Sequence, residues 1–266
     1  MIKRTTIPAA AAAALLLAFA PAQVFAGEMI DYGKAPPAPV VVEEDDSWFP
    51  LYGSVSVGYD SAYMFRGVNL GDRAPWAGLD LNYDINDSVS LNFGTWYINP
   101  TGQTFGSDAN DELDVYGFLN FAVGPVDLSV GGTGFFFTEA GTQSSEWGLA
   151  AGYSLMDFVD LGFMWWADLN AGSGGGTGHY FELAAAKSFD LNDWIAFTVA
   201  SGVSYSDDYF GVSSWNHVYA TGGLTFALTE TMAFDAYIGG NWPIGQLKDL
   251  GEQDRVYGGA SVSVSF

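Results

Sequence analysis

Twelve segments of this chain alternate between apolar and polar residues with a period of two, and this pattern constrains the fold more than any other feature. In Ala77–Ile85 every odd position is apolar or small, and polar residues fall between them. Such alternation is typical of a β-strand with one apolar and one polar face. The number of segments is even, as in a bacterial outer-membrane barrel whose termini lie on one side. The sequence therefore predicts an all-β fold, a transmembrane antiparallel up-and-down β-barrel of 12 strands over residues 48–266.

The connections between these segments alternate in length. The predicted tight turns are Asn86-Asp87, Gly124-Pro125, Met156-Asp157, Asp190–Asp193 and Thr229–Thr231. The predicted long connections are Gly67–Pro75, Asn99–Glu112, Thr138–Ser145, Asn170–Gly178, Ser206–Ser214 and Pro243–Asp254. Short periplasmic turns and longer extracellular loops alternate in this way in outer-membrane barrels.

The acidic composition excludes several function classes. The chain has 8 Lys and Arg against 31 Asp and Glu, a formal net charge of −23. Because nucleic-acid binding needs a basic face, we expect no nucleic-acid partner. The absence of Cys excludes disulfides, thiolate metal sites and thiol catalysis. After residue 26, no apolar run reaches the roughly 18 residues that a membrane-spanning helix requires.

The first 47 residues are predicted to lie outside the barrel. Lys3, Arg4 and the apolar run Ala9–Ala20 precede Val24-Phe25-Ala26, which is the pattern of a cleaved export signal over residues 1–26. Residues 27–47 follow as a Pro-rich acidic periplasmic tail, because Pro disfavours regular structure and like charges repel. The tail is either a solvated linker or a contact with the cell wall or a partner.

The two faces of the predicted strands differ as a membrane barrel requires. Acidic residues within strands fall on the face opposite the Leu, Val and aromatic residues. Outward aromatic residues collect near the strand ends, which predicts two girdles at the level of the lipid headgroups. They are Tyr59, Tyr97, Trp147, Trp165, Tyr205 and Trp242 near the long connections, and Tyr83, Phe121, Tyr153, Phe189, Phe226 and Phe266 near the short turns. We therefore expect contacts with outer-membrane lipid and lipopolysaccharide.

The alternation along each strand indicates which charged residues point into the lumen. These are the candidate pore residues. They are Arg66, Asp80, Asp114, Asp127, Glu146, Glu182, Asp235 and Arg255. Arg66 has two interpretations: it ties the barrel together through an ion pair with Asp80, Asp114 or another inward acid, or it is a fixed cation at a constriction. Because the last strand of a barrel pairs with the first, Arg66 and Arg255 are expected on one side of the lumen, opposite the acids.

Two motifs resemble those of outer-membrane proteins. Alternating apolar residues from Val256 to the terminal Phe266 resemble the signature by which the barrel-assembly machinery recognises its clients. Ser61-Ala-Tyr-Met-Phe-Arg-Gly67, followed by Gly94-Thr-Trp96, resembles a family of uncharacterised bacterial outer-membrane β-barrels with an early Ser-x-Tyr-x-Phe-Arg-Gly motif. The resemblance implies a barrel fold in the bacterial outer membrane and implies no activity.

The sequence predicts neither a catalytic nor a metal site. His217 lies near Ser213 and Ser214, which invites comparison with outer-membrane phospholipase, but its inward phase close to a loop favours a rim histidine. Ser107–Asp114 lacks the Gly and the distal Glu of a calcium loop, and Gly172–Gly178 lacks the Gly-Lys-Ser/Thr of a phosphate loop. We therefore expect that the protein is not an enzyme and holds no metal or cofactor.

Two function classes compete. The first is a porin-like channel for small solutes, whose acidic lumen prefers cations. The second is a non-conducting structural or surface-binding barrel, with Tyr209, Phe210 and Trp215 in loops that meet a ligand or partner. Self-association into a homo-oligomer stays open. Large inward residues that would plug the lumen are Tyr116, Phe118, Phe135, Met164, Trp166, Tyr180, Tyr219 and Tyr237.

Overall fold

Twelve antiparallel strands form a closed barrel in the computed structural model, which describes residues 51–102, 111–155, 158–169 and 177–266. The predicted fold class is therefore confirmed. The predicted signal peptide (residues 1–26) and tail (residues 27–47) lie outside the described residues. The strands are β1 (Leu51–Phe65), β2 (Val68–Asn86), β3 (Val89–Ile98), β4 (Glu112–Val123), β5 (Val126–Phe137), β6 (Thr142–Leu155), β7 (Val159–Asp168), β8 (His179–Asn192), β9 (Ile195–Tyr209), β10 (Val212–Ala227), β11 (Met232–Pro243) and β12 (Arg255–Ser265).

The first and last strands close the barrel. β1 and β12 pair in continuous register from Ser54 opposite Ser265 to Asp60 opposite Gly259. The backbone of Phe266 adds two further hydrogen bonds to Gly53, each 3.0 Å long. Closure removes the unpaired edges that an open sheet would expose. It also places the two ends of the described barrel at the same end of the molecule.

Strand alternation separates an apolar outer face from a filled interior. Outward residues such as Val57, Leu183 and Ile238 are more than half exposed, as expected for a lipid-facing belt. The predicted girdle residues Tyr59, Tyr97, Trp147, Tyr205, Trp242, Tyr153, Phe189 and Phe266 are exposed on this face. Trp165, Tyr83, Phe121 and Phe226 are half-buried. The large inward residues named above are buried, except for the half-buried Tyr237, and most of them pack into one cluster.

Two predicted long loops are instead tight hairpins. β1 and β2 are joined by Arg66-Gly67, and β9 and β10 by Phe210-Gly211. All four residues have positive φ, between 50° and 88°. Two central residues with positive φ are the geometry of a type I′ turn, which matches the twist of the flanking strands. The prediction of loops at Gly67–Pro75 and Ser206–Ser214 was wrong because Xaa-Gly supplies this turn and the strands continue up to it.

A β-bulge interrupts the first hairpin. Tyr63 pairs with Gly71, whereas Met64 pairs with Asn69, so Leu70 has no opposite residue. An extra residue on one strand bends the strand and increases its twist. We call residues 62–71 the lumen hairpin, because beyond the bulge its buried side chains pack into the barrel interior.

One short helix, α1 (Gly245–Asp249), lies in the connection between β11 and β12 and packs against β10. Within the ranges given above, no helix has the length and apolarity needed to cross a membrane.

Candidate functional site

The lumen hairpin extends into the barrel interior and is anchored on β11 and β10, the second and third strands from β1 around the barrel. The side-chain amide of Asn216 on β10 donates a hydrogen bond of 2.7 Å to the carbonyl oxygen of Arg66. Asn241 on β11 donates another, of 3.0 Å, to the carbonyl oxygen of Gly67. A Cβ atom built on Gly67 would lie 2.7 Å from the ring of His217. The turn is therefore seated against these two strands with no space for a side chain.

Arg66 is the one charged residue of the lumen hairpin, and its guanidinium is buried. Its Nη2 lies 2.6 Å from Oε1 of Glu146, and both side chains are almost fully buried. Four aromatic rings surround the guanidinium, with ring centroids between 4.7 and 5.5 Å from its central carbon; they belong to Phe65, Trp166, Tyr180 and Tyr209. We call Glu146 and these four rings the Arg66 box. Cation–π attraction and the ion pair together compensate for the loss of water around the charge.

The barrel walls of the box have hydrogen bonds of their own. Tyr209 donates to Oε2 of Glu146 over 3.0 Å. Tyr180 donates its hydroxyl hydrogen to Glu182, which accepts a second hydrogen bond of 2.7 Å from Tyr219. The Tyr180 hydroxyl oxygen lies 3.1 Å from Nε2 of His217. None of these bonds involves the lumen hairpin. Glu146, Tyr180 and Tyr209 therefore each have a hydrogen bond that does not depend on Arg66.

Five of the six candidate acids fall into two groups. Glu146 belongs to the Arg66 box, and Glu182 supports it through Tyr180. Asp80 accepts a hydrogen bond from Tyr116, Asp235 accepts one of 2.6 Å from Thr225, and Asp127 is half-buried near a short turn. Their strand positions place these three nearer the short-turn end, outside the box.

Asp114 lies beside Glu112, and both carboxyl groups are buried. Glu112 accepts a hydrogen bond of 2.7 Å from Tyr63 of the lumen hairpin. The pair therefore adds two closely spaced acids to the lumen wall and one contact to the hairpin.

The structure confirms one interpretation of Arg66 and corrects a related expectation. Arg66 does form a lumen ion pair, and its partner is the inward acid Glu146. Arg66 and Arg255 do not lie together, because the lumen hairpin carries Arg66 across to β6 and its neighbours. Arg255 stays at the start of β12, where it pairs with Asp72 at 2.8 Å in a partly exposed position.

Two further expectations were wrong. His217 is not a rim histidine: it is fully buried, and its Nδ1 lies 2.6 Å from Oδ1 of Asn241. Since the Asn241 amide donates to Gly67, its Oδ1 accepts from Nδ1–H, which leaves Nε2 facing Tyr180. Tyr209 is not a loop residue that meets a partner but a buried wall of the box, whereas Phe210 and Trp215 are exposed as expected.

The connection after α1 also contacts the lumen hairpin. The backbone of Asn69 hydrogen-bonds to the Glu252 carboxylate. Burial raises the pKa of the Glu252 carboxyl, while that hydrogen bond and the charge of Arg255 act in the opposite direction. The hairpin therefore has a polar contact on its outer side as well as within the lumen.

Several residues of this site escaped the sequence analysis. Glu112 was assigned to a loop, Asn216 and Asn241 were not singled out, and Tyr63 was named only as part of the Ser61–Gly67 motif. Asn241 shares the inward phase of Asp235 on β11, so its position could have been read from the alternation. Its role could not, because its partner Gly67 is 174 residues away in the chain.

Among the described residues, no group of three or more His, Cys, Asp or Glu side chains is placed to hold a metal ion. The Ser107–Asp114 and Gly172–Gly178 segments considered for ions and phosphate lie largely outside those residues.

Comparison with known proteins gives a likeness of fold. No protein-family model matches the sequence, and no curated protein matches it, so the resemblance carried by Ser61–Gly67 stays a prediction. The structure is similar to that of the NanC porin, with a TM-score of 0.51 and 11% identity over 80% of this chain and 98% of that one. The KdgM porin in complex with disordered oligogalacturonate gives a TM-score of 0.48 and 7% identity over 81% of this chain and 99% of that one. The chain thus has the fold of an outer-membrane barrel.

Proposed function

We propose that the protein is an outer-membrane channel for small cations, and that the lumen hairpin closes it in the conformation described here. The observation that carries this proposal is the lumen itself, a closed strand wall with inward acids. A hairpin crosses it and is held by one ion pair to β6 and by two amide hydrogen bonds from β10 and β11.

The apolar belt, the aromatic residues at both ends and the exposed terminal Phe266 support an outer-membrane location. Outer-membrane lipid and lipopolysaccharide are the proposed surroundings of the belt. Phe266 is the proposed contact for the barrel-assembly machinery.

The balance of lumen charges supports a preference for cations. Arg66 is neutralised by Glu146, whereas Asp80, Asp127 and Asp235 line the rest of the lumen. A fixed charge acts over about 10 Å at 0.1 M salt, which is similar to the radius of such a lumen, so its field is only partly screened. Once the hairpin moves, these acids favour cations over anions.

Planar-bilayer recording under a tenfold KCl gradient tests the proposal. We expect the native protein to be mostly closed and Glu146→Gln, which breaks the buried ion pair, to conduct with a reversal potential on the cation side. In 1 M salt the screening length falls to about 3 Å, so the preference should weaken. A reversal potential on the anion side contradicts the proposal.

The alternative is a non-conducting barrel in which the hairpin is a permanent part of the core. It is favoured by the fully buried hydrogen bonds of Asn216, His217 and Asn241. The same recordings separate the two functions: if folded Glu146→Gln is silent at every voltage, the non-conducting barrel is the better account.

A further inference from the structure

The Arg66 box has the composition of a binding site for an organic cation. One carboxylate faces the edge of the guanidinium at 2.6 Å, and four aromatic rings lie about it. Nη1 of Arg66 has no hydrogen-bond partner among the described residues, so the rings are what its positive charge meets on that side. Aromatic faces around a cation are a recurrent means of recognising cationic ligands.

The box is divided between the hairpin and the barrel. Phe65 and Arg66 belong to the lumen hairpin, whereas Glu146, Trp166, Tyr180 and Tyr209 come from the successive strands β6, β7, β8 and β9. The barrel residues keep their own hydrogen bonds, because Tyr209 donates to Glu146 and Tyr180 donates to Glu182. If the hairpin leaves the lumen, three rings and the carboxylate therefore remain in place without an occupant.

The chemistry of the box favours a guanidinium over a simple cation. A guanidinium is planar and weakly hydrated, stacks on aromatic rings and offers several N–H donors to a carboxylate. A hydrated K⁺ or a small ammonium gains less from ring faces and loses more hydration on entry. The box therefore discriminates by shape and hydration as well as by charge.

We propose that this box is a binding site for small guanidinium-bearing solutes, and that Arg66 is its internal occupant in the closed channel. An external guanidinium competes with Arg66 for Glu146 and the rings, and thereby holds the lumen hairpin out of the box. This inference deepens the proposed channel function by naming a class of cation, and its relevance to transport rests on that function. The binding itself does not.

Chemical rescue of Arg66→Ala tests the site without any measurement of current. The variant removes the occupant and leaves the box. We expect methylguanidinium chloride at millimolar concentrations to raise the unfolding temperature of the folded variant saturably, compared with NaCl of equal ionic strength. The native protein should respond much less, since Arg66 already fills the box. Unfolding is followed by the heat-dependent mobility of the full chain in gels.

Two variants serve as controls. Adding Glu146→Gln to Arg66→Ala should weaken methylguanidinium binding by about 10–100-fold, since a charge-assisted hydrogen bond is lost. Arg255→Ala also removes an arginine, but its partner Asp72 is 39% exposed and no cation–π contact of Arg255 is found in the described residues, so no rescue is expected. L-argininamide and the peptide Ala-Arg-Ala, tested beside methylguanidinium, show whether a free solute or a peptide side chain fits.

The outcomes are decisive in either direction. A saturable response of Arg66→Ala that depends on Glu146 supports the site even if the bilayer experiments show no current. An Arg66→Ala response no larger than that to NaCl overturns it, as does an equal response without Glu146. If Arg66→Ala does not fold alone, refolding with methylguanidinium should restore the barrel, and a failure to restore it also contradicts the proposal.

Discussion

Two hairpins at the same end of the barrel share a turn and differ in where they go. Arg66-Gly67 and Phe210-Gly211 both have an Xaa-Gly sequence and two positive φ angles. The first lies inside the lumen, where a Cβ on Gly67 would meet His217 at 2.7 Å. The second is exposed, and a Cβ on Gly211 would meet nothing within 4 Å. The turn sequence therefore does not decide the direction of a hairpin.

The difference arises from the residues next to each turn and from the side chains that they contact. Both hairpins have a register shift close to the turn, so a bulge alone does not distinguish them. The lumen hairpin carries a guanidinium, for which a carboxylate and aromatic rings lie on the opposite wall. The β9–β10 hairpin presents Phe210, which packs on Phe65 from outside at 5.9 Å. One hairpin thus becomes a plug, and the other packs against it.

Of the changes considered, breaking the buried ion pair between Arg66 and Glu146 should lower the free energy of unfolding most. Glu146→Gln leaves the Arg66 charge buried without its partner, which costs about 3–5 kcal/mol in comparable cases. We expect a loss of that order in the free energy of unfolding, measured by urea titration in detergent. Asp127→Asn is the matched control, because it neutralises a half-buried lumen acid outside the box and should change stability much less. Equal losses for both variants would mean that the ion pair does not hold the hairpin.

Replacing the glycine of each turn by alanine compares the space around the two turns. Gly67→Ala and Gly211→Ala both impose a positive φ on alanine, at about 1 kcal/mol each. Only Gly67→Ala also clashes with the His217 ring, and overpacking adds about 1–3 kcal/mol. Urea titration should therefore place Gly67→Ala clearly below Gly211→Ala in stability. If the two variants were equally stable, the turn at Gly67 would not be seated in the lumen.

Removing an amide that anchors the hairpin should have a smaller effect. Asn241→Ala leaves the buried carbonyl oxygen of Gly67 without its donor, which costs about 1–3 kcal/mol. Asn99→Ala is the control, since its amide makes an exposed hydrogen bond of 3.4 Å to Tyr97. We expect the same titration to show a loss for Asn241→Ala alone. A native-like Asn241→Ala would argue against the anchoring role.

The smallest effect is expected at the second arginine. Arg255 and Asp72 are 38% and 39% exposed, and exposed ion pairs contribute about 0–1 kcal/mol. Arg255→Ala should therefore unfold close to the native protein, and the difference should shrink further in high salt. A loss as large as that of Glu146→Gln would show that exposure does not explain why the two arginines differ.

The barrel could be predicted from the sequence because its determinants are local. Alternation along a strand fixes which residues face lipid, and this placed Leu183, Trp147 and Phe189 on the outside and Glu146 and Tyr180 on the inside. The number of strands followed from counting such segments.

The direction of the lumen hairpin could not be predicted in the same way. It depends on contacts between residues 80 to 174 positions apart, such as Arg66 with Glu146 and Gly67 with Asn241. The Gly, Asn, Asp and Pro residues of Gly67–Pro75 are typical of turns, and this segment was predicted to be a long loop. Phase analysis could place Arg66 in the lumen, but not beside Glu146, because phase gives the face of a strand and not the distant residue that a side chain meets.

An engineered disulfide between the hairpin turn and β10 tests most directly whether the hairpin occupies the lumen. The chain has no Cys, so Gly67→Cys/His217→Cys introduces the sole pair. A Cβ on Gly67 would lie 3.0 Å from that of His217, and a disulfide needs about 3.5–4.5 Å, so the hairpin must shift by about half an ångström. Mobility in non-reducing denaturing gels is measured on protein from outer membranes, with Gly211→Cys/His217→Cys as control. The account predicts that most assembled Gly67→Cys/His217→Cys protein is cross-linked and the control is not. Assembled protein with both thiols free to react with a maleimide would contradict it.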